Sequence, residues 1–546
     1  MATKEYVVTV KKGIDWEEVH ADLIEDTTSR EGLDPNIVPT RQVAVAKLRQ
    51  NNTRSTHYLL EPSEAEGLKN DTRILDVQDE SFATKQPSKI QTGDFSRSGS
   101  DSGNKINYGL ALHTNSANIY NNSTSDPGLD YNYVLDGTGV DVVIIDTGIQ
   151  GDHPEWQDAN GVSRLKEINW FSESGVSGAH PQNMYRDKDG HGTHVASVVA
   201  GKTFGWAKNA DIYIQRISFG DPSLQEGTDV MSAADCFDTL LAWHNAKTNN
   251  RPTILNMSWG NYAEIYTTSN PMQVNDYPGC RISGGTYRGS THGRTSRLQW
   301  QEDYGFPADA SLFSGVVYLP FTVTSEIASV ESLIDAGVIV CVAAGNNDVK
   351  IDIQSGNDYD NKIKITANTS NGAIHPSFTN GETKEFTYMK AGLFAPSTSS
   401  PGLLVGSINA DSKSTTQERK ANYSACGPAV NIYAAGDKIV GACSTTHEGH
   451  YSTESYHPNS SFKQVSTQGT SQASPQMAGM AACLMQAHPD WAPIQVMNWF
   501  QNNAHNNLYS TGLNNDSTVR DSIRGSEQRV AFFPLKGQKV YSISVS

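Results

Sequence analysis

Short apolar runs recur along the middle of the chain, at Val140–Ile145, Asp211–Ile217, Thr253–Met257, Val338–Ala343 and Leu403–Ile408. The first of them, VDVVII, is almost unbroken, as expected of a strand that meets water on neither face. Between the runs lie segments whose apolar residues recur at helical spacing: His194–Ala200, Ala233–Asn249, Thr324–Ala336 and Ser474–Ala487. Strands alternating with helices predict an α/β domain with a doubly wound, mainly parallel sheet. The first 86 residues follow another rhythm. Strand patterns at Glu5–Val10, Gln42–Leu48, Ser55–Leu60 and Arg73–Val77 are interleaved with helical ones at Asp15–Asp26 and Pro62–Leu68. Asp15 with Glu18 three residues later reads as a capping box opening the first helix. The order βαββαβ predicts a small ferredoxin-like α+β domain.

Gln86–Lys105 (QPSKIQTGDFSRSGSDSGNK) is rich in Ser and Gly and nearly free of large apolar residues, the composition of an exposed linker. The chain therefore divides into a domain over 1–86, a linker over 87–105, a larger domain over 106–506 and a C-terminal extension over 507–546 with no assigned role. Asn261–Leu319, rich in Tyr, Gly, Ser and Thr, and Asp348–Ser400, rich in Asn, Thr and Ser, match no strand or helix and read as insertions.

Composition acts mainly by exclusion. The 546 residues carry a formal net charge of −17, which argues against a nucleic-acid partner bound through its phosphates. With 9% aromatic residues the chain is also unlike a disordered one. No segment approaches the roughly 18 apolar residues of a membrane span, so no membrane partner is expected. The start, MATKEYVVTVKKG, lacks the apolar core of a secretory signal. Localisation stays open among an intracellular protein, a virion-packaged one and one whose signal was removed. The six cysteines (Cys236, Cys280, Cys341, Cys426, Cys443 and Cys483) form no CxxC pair and read as buried free thiols rather than a disulfide framework or zinc site.

Three segments place reactive residue types at the ends of buried elements. Asp146 closes the run VDVVII, where an open α/β sheet presents its crevice, with Thr147 and Gly148 as candidate donors to its carboxylate. His191 and His194 lie in GHGTHVASVVAG, with His191 at the mouth of a helix; the spacing is not that of a zinc-binding HExxH. Ser471 lies in QGTSQASPQMAGMAA at another helix start, where free N–H groups can stabilise an oxyanion. Taken singly, these residues read as a turn cap, a structural histidine and an N-cap. Together, Asp, His and Ser make a nucleophilic relay.

The chain order Asp, His, Ser and the strings VVIIDTGIQGDHPEW, DKDGHGTHVASVVAG and GTSQASPQMAG resemble the subtilases, the subtilisin-like serine proteases. The resemblance implies a serine endopeptidase acting on protein or peptide substrates, with Asp146 as orienting acid, His191 as general base and acid, and Ser471 as nucleophile. His194 carries over only as a structural residue. VCVAAGNN places Asn346 at the family's oxyanion-hole amide. NMSWG places Ser258, Trp259 and Gly260 where substrate backbone adds as a strand. By the same resemblance Ala343, Ala344 and Gly345 would line the facing wall of the pocket for the residue before the scissile bond, which suggests an open, tolerant pocket, although Asn261–Leu319 could lie across the cleft and restrict entry. The N-terminal domain, ending in HYLLEPSEAEGLKNDTRILDVQDE, resembles the family's inhibitory propeptide. Its own propeptide would then be an intramolecular inhibitor, cut between about Gln86 and Lys105.

The chain also departs from the family pattern. Gln472 follows the nucleophile where Met is usual, which implies tolerance to peroxide. Gln476 replaces a usual His, and Trp259 a frequent Leu. The long spacing from Asp146 to His191 implies an insertion within 157–185. No cofactor is needed for this chemistry. A structural calcium fits the family, but Asp187 with Asp189 and Asp358 with Asp360 read first as solvated acidic loops, and no metal ligand is assigned. The rival reading is a catalytically inactive subtilase-fold interaction module. A lipase or esterase is disfavoured because GxSxG is absent around Ser471.

Overall fold

The computed structural model describes residues 3–25, 33–49, 51–79, 84–87, 107–114, 133–217, 230–266, 281–282, 285–286, 316–356, 358–366, 383–387, 390–410, 417–446, 451–456, 458–509 and 522–533. The N-terminal unit runs β1 (Lys4–Val10), α1 (Trp16–Ile24), β2 (Ala44–Lys47), β3 (Ser55–Leu60), α2 (Pro62–Leu68) and β4 (Ile74–Gln78). Its antiparallel sheet has the order β2-β3-β1-β4, so the expected βαββαβ arrangement forms. Val8, Val10, Leu23, Leu60 and Leu68 are among the residues closing its core. Asp15 does cap α1, but its side chain accepts from the Glu17 N–H, two residues on, and not from Glu18.

The larger unit is built on β6 (Asp141–Asp146), α3 (His191–Ala200), β7 (Asp211–Arg216), α4 (Ala233–Ala246) and β8 (Thr253–Met257). After these come β9 (Trp259–Tyr266), β10 (Val316–Pro320), α5 (Thr324–Asp335), β11 (Ile339–Ala343), β12 (Leu403–Ile408) and β13 (Ile432–Ala435). The main sheet is parallel throughout, in the order β13-β12-β11-β8-β6-β7. β6 sits between β7 and β8, which is why its side chains are all buried. The chain order reverses across this point, so the carboxyl ends of β6, β8 and β11 open on one crevice. Two further strands, β14 (Ile439–Cys443) and β15 (Lys463–Thr467), pair antiparallel, and helices α6 (Thr470–Ala487) and α7 (Pro493–Asn503) follow. α6 is buried from Thr470 to Met485 and packs against α3, β8, β11 and β12.

The N-terminal unit rests on α4 and α5. The backbone N–H groups of Asn51 and Asn52 both donate to Asp238 Oδ1, at 2.7 and 2.9 Å. Lys47 pairs with Asp235 at 2.8 Å and Arg54 with Glu331 at 2.9 Å. From this seat the chain reaches β5 (Thr84–Pro87), which pairs antiparallel with β9 in a three-stranded sheet of order β10-β9-β5.

Several segments differ from the expectation. β5 occupies the boundary where the linker was to begin; the remainder of the linker, 88–105, lies outside the described residues. The stretch 261–319 is not devoid of strands, since β9 and β10 frame it. Within 348–400, Lys362–Thr366 pairs antiparallel with Thr383–Thr387. Neither of these last two strands, KIKIT and TKEFT, carries a continuous apolar run. Part of the C-terminal extension belongs to the core: Ile523, Val530, Ala531 and Phe533 are buried, and the Ala531 N–H donates to Tyr433 O at 2.8 Å. Cys236, Cys341, Cys426, Cys443 and Cys483 are buried free thiols as expected; Cys280 lies outside the described residues.

Gln476 on α6 ties the core together where the resemblance leads one to expect His. Its Oε1 accepts from Trp206 Nε1 at 2.6 Å and its Nε2 donates to Asn107 Oδ1 at 2.7 Å. Gln476→Ala removes a buried acceptor and a buried donor together, and should lower unfolding free energy by about 1–3 kcal/mol in denaturant titration.

Candidate functional site

The site is assembled from loops that leave the carboxyl edge of the sheet. Asp146 ends β6, and its Oδ1 lies 2.7 Å from His191 Nδ1 at the first position of α3. Both side chains are fully buried. The Thr147 N–H also donates to Asp146 Oδ1, at 2.8 Å. The expected Thr147 hydroxyl donor goes elsewhere: it reaches Asp187 Oδ1 at 2.9 Å and accepts from the Gly192 N–H at 2.8 Å. Gly148 provides close approach instead. Its φ is +117°, and a Cβ there would collide with the Arg186 carbonyl, so the turn after Asp146 requires glycine.

Acidic groups surround His191. Asp187 is buried and accepts from the Gly190 N–H at 2.8 Å and from the Thr193 hydroxyl at 2.7 Å. Burial, with the Asp189 charge nearby, pushes the Asp187 carboxyl up to about 6. For His191, burial opposes the imidazolium, but the charge and hydrogen bond of Asp146 and the charges of Asp189 and Asp187 outweigh it. Its pKa therefore lies above the ordinary 6.5. His194, one turn along α3, behaves oppositely. It is buried against Ile439 O at 3.1 Å, and burial pulls it down to about 3, which keeps it neutral and structural.

Ser471 and Asn346 form the second half of the site. Ser471 stands at the start of α6, and its Oγ donates to Ser258 O at 2.8 Å. Ser258 Oγ returns a bond to Ser471 O at 2.9 Å. A buried chain supports it: Asn256 Nδ2 donates to Ser258 Oγ at 2.9 Å, and Ser474 Oγ to Asn256 Oδ1 at 2.8 Å. Asn346 Oδ1 accepts from both the Thr470 N–H and the Thr470 hydroxyl, each at 2.8 Å. A backbone N–H can only donate, so this bond fixes which end of the amide is oxygen. Asn346 Nδ2 is thereby turned away from Thr470, buried and without a described hydrogen-bond partner. It lies beside Gly469, two residues before Ser471. Thr470, not a predicted site residue although it lies in the GTSQAS string, is the residue that aims this amide.

Of the remaining sequence-predicted residues, Ser258 precedes β9 and Trp259 and Gly260 open it, while Ala343 ends β11 and Ala344 and Gly345 follow it. The Trp259 side chain faces the core, its Nε1 donating to Ile145 O at 2.8 Å, so only its backbone is offered to the cleft. The two acidic pairs considered for calcium are occupied by protein groups. Asp358 pairs with Lys350 and Asp360 lies 3.8 Å from Lys390. Asp187 is held as described above, and Asp189 Oδ1 accepts from the His191 N–H at 3.1 Å. Among the described residues no three His, Cys, Asp or Glu side chains converge on one point. Among the same residues, no helix is long and apolar enough to cross a membrane.

A parallel, doubly wound sheet with Asp, His, Ser and an amide gathered at its carboxyl edge defines an α/β protein with its polar site at the sheet crevice. Comparison with known proteins narrows this. The model of the subtilase family matches residues 137–522, and the chain belongs to that family. Subtilisin-like proteinase Mp1 of Magnaporthiopsis poae is 34% identical over 135 residues, covering 24% of this chain and 30% of that protein. A subtilisin of Bacillus sp. (strain TA39) is 27% identical over 183 residues, covering 32% and 39% respectively. The matches thus span about a third of the length of these relatives. Among solved structures, fervidolysin from Fervidobacterium pennivorans, a keratinolytic enzyme related to subtilisin, is 16% identical with a TM-score of 0.49, covering 98% of this chain and 62% of that one.

The charge balance around His191 is open to direct measurement. In an NMR pH titration, the His191 ring should lose its proton above pH 6.5, because Asp146 stabilises the charged form; Asp146→Asn should move the midpoint downward.

Proposed function

We propose that the protein is a serine endopeptidase that cleaves peptide bonds through an acyl-enzyme and is made as a self-inhibited precursor. The observation that carries this reading is the buried Asp146–His191 hydrogen bond of 2.7 Å, set on the same sheet edge as Ser471 and the aimed amide of Asn346. His191 takes the Ser471 proton as the hydroxyl turns from Ser258 O toward the imidazole, and the alkoxide attacks the substrate carbonyl. Asp146 holds the ring orientation and stabilises the imidazolium. Negative charge develops on the carbonyl oxygen, where Asn346 Nδ2 and the Ser471 N–H donate to it. His191 then protonates the leaving amine. Water repeats the sequence on the acyl-enzyme.

Substrate is held by strand addition along β9, with main-chain bonds supplying affinity. In this structure β5 already lies on that edge, with Gln86 opposite Gly260 and Pro87 opposite Trp259. The N-terminal domain, seated on α4 and α5, therefore blocks the strand position a substrate needs. This supports an inhibitory propeptide, removed by a cut following β5.

The test compares the wild type with Ser471→Ala for labelling by a serine-directed fluorophosphonate and for self-processing. Labelling and processing should be lost in the variant; equal behaviour of the two proteins would sink the proposal. Asn346→Ala should lower kcat by about 10²–10³-fold, the loss known for one oxyanion donor in a subtilisin itself. Gln472 has no thioether, so the wild type should keep its activity in dilute peroxide while Gln472→Met should lose it, as followed by residual peptide hydrolysis.

A further inference from the structure

Gly260 and Gly345 stand on the two facing walls assigned above to the pocket for the residue before the scissile bond. Side chains alternate along a strand, so Gly260 and Tyr262 share one face of β9 while Trp259 and Asn261 share the other. The second face is committed to the protein interior: Trp259 Nε1 bonds Ile145 O at 2.8 Å, and Asn261 Nδ2 bonds the buried Glu326 at 2.6 Å. Tyr262 is thus turned to the Gly260 side. Its ring passes 3.5 Å from where a Gly260 Cβ would be, and its hydroxyl occupies the place a Gly345 Cβ would need. The ring spans the gap between the two glycine walls. Tyr262 is only 6% exposed, so it is held in the gap rather than extended into solvent.

We infer that Tyr262 fills the deep part of this pocket and restricts the residue before the scissile bond to a small side chain such as Gly, Ala or Ser. The inference rests on the protease reading above. It narrows the open pocket that Ala343–Gly345 alone suggests. A ring in the gap leaves depth for a methyl or hydroxymethyl group and excludes Phe, Tyr or Leu unless Tyr262 moves. The register of β5 agrees. A peptide laid in that register brings the residue after the Pro87 position opposite Ser258, whose carbonyl holds the Ser471 hydroxyl. In the sequence that residue is Ser88, which is small.

The experiment uses the full chain, allowed to self-process, and a set of chromogenic peptides identical except for Ala, Ser, Leu or Phe before the cleaved bond. The wild type should favour Ala or Ser over Phe by about tenfold or more in kcat/KM, the scale on which a hydrophobic pocket discriminates. Tyr262→Ala should raise kcat/KM for Leu and Phe and shrink that preference by about the same factor. Tyr262→Phe, which keeps the ring, should retain the preference. Should Tyr262→Ala fail to fold, Tyr262→Leu offers a smaller change with the same expected direction. Fluorophosphonate labelling of each variant separates a specificity change from loss of the site. Wild-type cleavage of the Phe peptide as fast as the Ala peptide overturns the inference while leaving the protease reading intact. An unchanged preference in a Tyr262→Ala protein that labels normally does the same. Absence of both labelling and cleavage in the wild type overturns the protease reading, and this inference with it.

Discussion

The parallel pairing of β6 with β7 and β8 is the constraint from which the site follows. Parallel strands all end on the same edge, so Asp146 after β6, Ser258 after β8 and Asn346 after β11 are gathered by backbone pairing alone. Two buried helices then add the other groups. α3 begins with His191 and α6 with Thr470 and Ser471, and the helices pack against each other. The reactive residues belong to five distant stretches of sequence, yet each is displaced only a few residues from the end of a rigid element. Slipping β6 by one residue would exchange its two faces and carry Asp146 out of reach of His191.

Burial raises the energetic cost of this arrangement and also sets its chemistry. A fully buried carboxylate is expensive unless donors surround it. Asp146 meets the His191 ring and the Thr147 N–H, while Asp187 meets Thr147, Gly190 and Thr193. The same low-dielectric setting that penalises the His191 cation lets nearby carboxylates favour it, and the balance lies with the cation. His194 has the burial without the carboxylate and stays neutral. Two histidines three positions apart on one helix are thus driven in opposite directions by the carboxylates that surround only one of them.

The parallel core and the placement of Asp146, His191, Ser471 and Asn346 were legible because their signals are local. VDVVII announces a strand buried on both faces, and each short motif sits at an element boundary. Thr253–Met257 and Leu403–Ile408 match their strands residue for residue. What escaped depends on contacts distant in sequence. β5 and β9 pair with one another across 170 and more residues, and neither pattern nor spacing announces that pairing in the sequence. Val530 and Phe533 look like tail residues until β13 and the Trp206 cluster are in place around them. Thr470 was visible in its motif, but its task of fixing the Asn346 amide required knowing where β11 ends.

β9 then carries two demands with one backbone. On the proposed reading, the edge that β5 occupies must pair with an extended substrate chain, and the inward face must shape what that chain presents to Ser471. The backbone alone answers the first demand, and a Cβ added at Gly260 would only touch the Tyr262 ring, at 3.5 Å. The second falls to Tyr262, two residues on, whose ring returns over the space that Gly260 leaves open. Pairing with β5 shows that the edge accepts a partner while the ring is in place. Strand addition and a filled pocket are therefore compatible in one conformation, which on the proposed reading leaves selection among substrates to side-chain volume.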